Sequence, residues 1–158
     1  MLTPANRLAC QLAIKTGLRI GDVLAIPTSQ LAQRMSVTEA KTGKRRRIYI
    51  PAALLARLKA QAGETWVFPG RDPAKHRTRQ AVWWDVNRAA KAARLHANVG
   101  PHTMRKVYAV RQYQRTGDLQ AVQRTLNHSD PAVTMIYALA DHLAAQRRKE
   151  GGKRPSRP

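Results

Sequence analysis

Four residues in the second half of the chain have the types and spacing to do chemistry on a phosphodiester. His102 and Arg105 stand three apart in a stretch that reads as the start of a helix, so their side chains share one face and can converge on one anion. His128 follows, and Tyr137 comes nine positions after it. A guanidinium, two imidazoles and a phenol are a poor set for a metal or an acyl group. They suit phosphorus: attack on a phosphodiester places negative charge on the equatorial oxygens, which a planar guanidinium meets with two parallel N–H donors where a lysine offers a point charge. A tyrosine can form a covalent intermediate, provided that its phenol, with a pKa of about 10, is helped by a base or by nearby cations.

Five short motifs carry a resemblance. His102-Thr103-Met104-Arg105 reads as an H-x-x-R pair, Leu126-Asn127-His128 as a variant of L-G-H, and Thr134-Met135-Ile136-Tyr137 as T-x-x-Y. Upstream lie Thr16-Gly17-Leu18-Arg19-Ile20-Gly21-Asp22 and Lys41-Thr42-Gly43-Lys44. In this order and context they resemble the catalytic domain of the tyrosine recombinases of the phage integrase family, over nearly the whole chain apart from its tail. The resemblance implies that Tyr137 attacks the scissile phosphate to leave a 3′-phosphotyrosyl link and a free 5′-hydroxyl. It implies that Arg19 and Arg105 hold the non-bridging oxygens, that Lys41 protonates the leaving oxygen, and that His102 and His128 assist. Lys41 is preferred to Lys44 because the family's lysine leads the K-T-G. No metal and no nucleotide cofactor is implied, since the bond energy is kept in the covalent intermediate. The implied activity is site-specific strand exchange, for integration or excision of a phage or mobile element, by a homo-oligomer, a tetramer, on double-stranded DNA. A type IB topoisomerase-like nicking enzyme and a silent DNA-binding regulator are the alternatives, and five intact motifs speak against the second.

Composition points the same way. The chain has 158 residues, 43% of them apolar, which suits one globular domain with a real core. Its 29 Lys and Arg against 9 Asp and Glu give a net charge of +20, and such self-repulsion is best offset by a polyanion. So few acids argue against a two-metal nuclease, which needs carboxylate clusters. The lone cysteine, Cys10, excludes an internal disulfide and a multi-cysteine zinc site. No apolar run reaches membrane-spanning length and no secretory h-region follows Met1, so a cytoplasmic, DNA-associated protein without a membrane role is expected.

The elements that must position these residues read as α+β, mainly α-helical, with a small antiparallel sheet. Thr3-Pro4 starts a first helix and Gly17 stops it; Arg19 then enters a short second helix with Asp22 one turn along, able to hold its guanidinium. From Ile26 to Pro51 the period changes to two: Met35-Ser36-Val37-Thr38 and Ile48-Tyr49-Ile50 flank the turn at Thr42-Gly43, which predicts a β-hairpin with a third short strand near Gln30. Lys41 sits at the mouth of the turn, and Lys44, Arg45, Arg46 and Arg47 form a basic run expected to contact DNA. Leu54, Leu55 and Leu58 make the stripe of a third helix opened by Pro51 and ended by Gly63. Trp66 to Phe68 read as a short buried strand or anchored loop. Residues 71–79 read as a surface loop whose Arg71, Lys75, Arg77 and Arg79 meet phosphates, with His76 a solvated loop histidine. Val82 and Val86 mark a long amphipathic helix, with Trp83 and Trp84 in packing roles and Arg88, Lys91 and Arg94 on its polar side.

Gly100-Pro101 starts the H-x-x-R helix, which puts His102 and Arg105 near a helix N-terminus favourable to phosphate. Tyr108 and Tyr113, inside that helix, read as packing or surface residues. Gly117-Asp118 ends one helix and caps the next, and Asp130-Pro131 caps the helix carrying Tyr137. The expected organisation is a catalytic domain over residues 1–146 and a flexible basic tail over 147–158. The family usually places a DNA-clamping domain and a further helix ahead of the Arg19 box, yet only eighteen residues precede Arg19 here. A truncated or minimal relative is therefore expected, served by a separate clamp domain or an accessory DNA-bending protein.

Overall fold

The computed structural model describes residues 1–95, 99–100, 102–126, 130, 132–140 and 143. His128, Asn127, Pro101 and the tail over 147–158 lie outside the described residues. The chain divides into two compact units, Met1–Tyr108 and Ala109–Pro158. The architecture is mainly α-helical with one two-stranded antiparallel sheet, as the periodicities require.

In the first unit, helix α1 (Pro4–Thr16) begins with proline at its first position, where no N–H is needed, and buries Leu8, Ala9, Leu12 and Ala13. Thr3 occupies its N-cap, its carbonyl accepting from Arg7 N at 2.9 Å but its side chain making no bond to the helix. Its N–H and hydroxyl instead donate to Oδ2 of Asp85, each at 2.8 Å, and Asn6 donates to the same oxygen at 2.8 Å. Arg88 donates to Oδ1 of Asp85. This buried carboxylate thus binds the start of α1 to helix α4 (Arg79–Ala92), where Thr78 caps in the usual way by accepting from Ala81 N at 3.1 Å. Burial alone pushes the Asp85 carboxyl up, but the bonds from Arg88, Thr3 and Asn6 outweigh it and hold the carboxyl well below the ordinary range. The Cys10 thiol, buried in α1 and near that charge, is pushed up to about 11, chiefly by burial and then by Asp85.

Gly17 ends α1 with φ +69°, its N–H on Ala13 O at 2.8 Å. Only glycine fits: an added Cβ would lie 2.6 Å from the ring of buried Tyr108. Helix α2 (Ile20–Leu24) follows at once with Arg19 at its N-cap. Strands β1 (Arg34–Thr38) and β2 (Arg45–Tyr49) pair antiparallel, Val37 opposite Arg46 and Met35 opposite Ile48, and Gly43 in their turn has φ +65°. The expected third strand near Gln30 does not form. Thr28–Gln30 is a 3-10 turn instead, because Pro27 meets Trp66 in a single isolated bridge and Thr28 is tied by its hydroxyl to Gly63 O at 2.7 Å. Val67 and Phe68 are buried beside it, as the anchored-loop reading expects. Helix α3 (Ala52–Gln61) buries Leu54 and Leu58. Trp83 and Trp84 depart from their expected packing roles: they form an edge-to-face pair and Trp84 is 61% exposed.

Helix α5 (Thr103–Thr116) runs through the boundary between the units. In the second unit Gly117, at φ +66°, stops α5, and Asp118 accepts from Ala121 N at 3.0 Å to cap helix α6 (Leu119–Leu126), which buries Val122 and Leu126. Residues 132–140 are helical. Asp130 caps them, accepting from Ala132 N at 3.0 Å. Both caps match the sequence reading. Among the described residues no helix is long and apolar enough to cross a membrane.

Candidate functional site

Three motif residues of the first unit are placed by irregular backbone. Arg19 leaves the left-handed turn at Gly17, Lys41 rides the hairpin turn, and His102 stands one residue before α5, its carbonyl accepting from Lys106 N at 2.9 Å. Arg105, in the first turn of α5, is 2% exposed, and its Nη1 donates to Gly17 O at 2.6 Å. The segment that delivers Arg19 therefore also receives Arg105.

Glu39 is the acid at this place, and sequence reasoning missed it. Arg19 was expected to pair with Asp22. Its Nη1 lies 2.5 Å from Glu39 Oε2, while Asp22 is spent elsewhere, its Oδ1 accepting from Ala40 N at 3.0 Å. Arg46 Nη1 is 3.0 Å and Arg105 Nη1 3.7 Å from Glu39 Oε1. Burial pushes the Glu39 carboxyl up, but the hydrogen bond from Arg46 and the charges of Arg105, Arg46 and Arg19 outweigh it and hold the group below its ordinary value. The available signal was charge balance: a run this basic leaves few acids to explain, and Glu39 is two residues from Lys41.

Arg46 is a correction. It was grouped with the DNA contacts, yet it turns inward beside Ile48 because strand residues alternate between faces. Its guanidinium donates to Thr16 O at 2.8 Å and Gly17 O at 3.2 Å, satisfying carbonyls at the end of α1. Arg77 is a second correction, half-buried with Nη1 on Asn6 Oδ1 at 3.3 Å. Lys44, Arg45, Arg47, Arg71, Lys75 and Arg79 are exposed, Lys75 lying 3.9 Å from Asp72.

An open cleft of about 1320 Å³ brings Arg19, Lys41, Arg45, His76, Arg79 and His102 to one surface. It exceeds the roughly 300–1,000 Å³ of a small-molecule pocket and suits a trough for an extended polyanion. His76 is the third correction: rather than a solvated loop residue, it is half-buried, edge-on to Trp66, with Nδ1 2.9 Å from Arg77 O.

In the second unit Tyr137 is 39% exposed and donates from its hydroxyl to Gln123 Oε1 at 3.1 Å. Val133 and Ile136 on the same helical run are buried, so the T-x-x-Y spacing turns the phenol outward. Of the two other phenols considered for the nucleophile, Tyr108 in the first unit is buried against Gly17 and Tyr113 is half-buried within α5.

Arginines gathered on one buried acid beside a basic trough define a domain built to hold an anion. Residues 2–143 match the phage integrase family, and the chain belongs to it. It is 31% identical over 138 residues to the tyrosine recombinase XerD of Rhizobium meliloti, covering 80% of this chain and 44% of that protein. It spans about half the length of the XerD relatives it matches. Its fold is that of the XerH site-specific recombinase in a post-cleavage complex with the difH substrate, with a TM-score of 0.70, 22% identity, and coverage of 93% of this chain and 44% of that one. The lambda integrase catalytic core is similar too, with a TM-score of 0.62, 24% identity, and coverage of 78% and 80%.

Proposed function

We propose that this chain is the catalytic domain of a site-specific recombinase, which cuts and rejoins double-stranded DNA through a phosphotyrosine and serves integration or excision of a phage or mobile element. The observation that carries the reading is the pairing of Arg19 and Arg105 with one buried carboxylate beside a cleft lined by Lys41 and His102. Two guanidiniums held by one acid are set for two non-bridging oxygens of one phosphate. In the reaction a bond forms between the Tyr137 oxygen and phosphorus as the bond from phosphorus to O5′ breaks. The phenolic proton is lost, Lys41 supplies a proton to O5′, and the DNA keeps a 3′-phosphotyrosyl end; rejoining is the reverse. His102 and His128 assist proton transfer and phosphate contact. Tyr137 and His128 receive their roles from their motifs alone. Lys44, Arg45, Arg47, Arg71, Lys75 and Arg79 contact the phosphate backbone, and the tail over 147–158 adds to the same electrostatic attraction. The protein acts in the cytoplasm as a homo-oligomer on DNA, with a clamp for the opposite side of the duplex in another domain or an accessory protein.

The test is a pool of nicked duplexes with randomised centres, incubated with the chain and resolved on denaturing gels. Wild type yields a covalent adduct whose DNA reports the target, whereas Tyr137→Phe yields none and binds DNA as before, having lost a single hydroxyl. An adduct in the variant overturns the nucleophile, and no adduct from wild type overturns the reading.

A further inference from the structure

We infer that Glu39 is the positioning residue of the cleavage reaction, one carboxylate that sets both phosphate-holding arginines and the turn bearing the general acid. The inference rests on the reading above. A carboxylate offers about four acceptor positions on its two oxygens. Oε2 faces Arg19 Nη1 at 2.5 Å and Thr42 Oγ1 at 3.2 Å, and Oε1 faces Arg46 Nη1 at 3.0 Å and Arg105 Nη1 at 3.7 Å. These four donors come from the entry to α2, the hairpin turn, β2 and α5. Each is therefore referred to the same 3%-exposed anchor.

The backbone of Glu39 does related work. Its carbonyl accepts from Gly43 N at 2.8 Å and Thr42 N at 3.3 Å, and its N–H donates to Lys44 O at 2.9 Å, which closes the turn around Lys41. A displacement of Glu39 would thus move the acid and the arginines together. A purely architectural role would need only Arg46, whose guanidinium already joins β2 to the end of α1. Arg105 also donates to Gly17 O, but its approach to Glu39, like that of Arg19, is no part of the Arg46 joint, and these are the two guanidiniums the motifs assign to phosphate. Without the carboxylate, three like charges would face one another across a buried space and splay apart.

The test compares Glu39→Gln with wild type on a duplex recovered from the randomised pool, carrying either a normal scissile phosphate or a methylphosphonate there. The methylphosphonate is neutral, so it gains little from correctly placed arginines. Glutamine keeps the shape but turns an N–H₂ toward guanidinium donors. Expected is cleavage about 100-fold slower on the phosphodiester, the scale of losing one placed electrostatic contact, and within a few-fold of wild type on the methylphosphonate. An equal loss on both substrates marks a merely structural residue and overturns the inference, as does wild-type cleavage by the variant. If circular dichroism shows Glu39→Gln unfolded, Thr42→Val decides. It removes the Oε2 contact and the acceptor of Lys44 N, both within the turn, and should cleave several-fold slower with an O5′ leaving group but at the wild-type rate when O5′ is sulfur, which needs no acid. An unchanged rate on the oxygen substrate overturns the inference. A wild-type protein that forms no adduct would defeat the functional reading, and this inference with it; cleavage by wild type with any of the failures above defeats the inference alone.

Discussion

Gly17→Ala is expected to damage the first unit far beyond what one methyl group suggests. Two costs add. An alanine held at φ +69° pays about 1–2 kcal/mol for the left-handed conformation. Its Cβ would also meet the Tyr108 ring at 2.6 Å, and forcing a buried ring to yield costs about 1–3 kcal/mol. Together they amount to about 2–5 kcal/mol, and at roughly 2–4 °C per kcal/mol for a chain of this length Tm falls by ~4–20 °C. The two costs separate in a double-mutant cycle. Tyr108→Ala alone destabilises by about 3–5 kcal/mol through its cavity, but in that background Gly17→Ala no longer clashes and costs only its conformational part, a coupling of about 1–3 kcal/mol. Thermal and urea melts of the four proteins measure this. A Gly17→Ala effect under about 0.5 kcal/mol, or strict additivity, refutes the argument. Cleavage should fall further than stability alone explains, because Gly17 O is the acceptor for Arg105.

Asp85→Asn should flatten the acid limb of the stability curve. The native carboxyl is depressed below its ordinary 3.8, so its contribution is fully present above that value and is lost as pH falls through the native pKa. Melts from pH 7 down to pH 2 should show the wild-type advantage shrinking below about pH 4, and a constant gap would contradict the assignment. Lys41→Ala should be rescued by a 5′-bridging sulfur, which leaves without protonation, whereas Arg105→Ala should not; rescue of Lys44→Ala would move the acid along the turn. Neighbouring arginines should behave oppositely. Arg45→Ala should lower the salt slope of binding to a labelled duplex by about one with little change in Tm. Arg46→Ala should leave that slope alone and cost about 2–4 kcal/mol in melts, since it strips buried carbonyls and Glu39 of a charged donor.

Much of this protein is written in local signals. Each depends on residues a few positions apart, so chain order alone carries it. Gly17 and Gly117 stop their helices because positive φ costs glycine little, Asp118 and Asp130 cap the next ones through their own side chains, and alternating apolar residues define the hairpin. The family motifs are of the same kind. The alternation also implied that Arg46 shares the inward face of Ile48, although a run of four basic residues reads first as one exposed patch.

Other features were decided only by tertiary structure, because they pair residues that sequence order keeps apart. Glu39 meets Arg19 across 20 positions, Asp85 meets Thr3 across 82, and Arg105 meets Gly17 O across 88. No local rule selects Glu39 over the nearer Asp22 as the acid for Arg19; the hairpin does, by delivering a carboxylate to one side of α2 and spending Asp22 on its own backbone. Packing also turned Arg77 from the surface, onto Asn6 Oδ1, and set His76 against Trp66 at the cleft. A buried charge must find its partner wherever the packed chain provides one, and that choice is made in space.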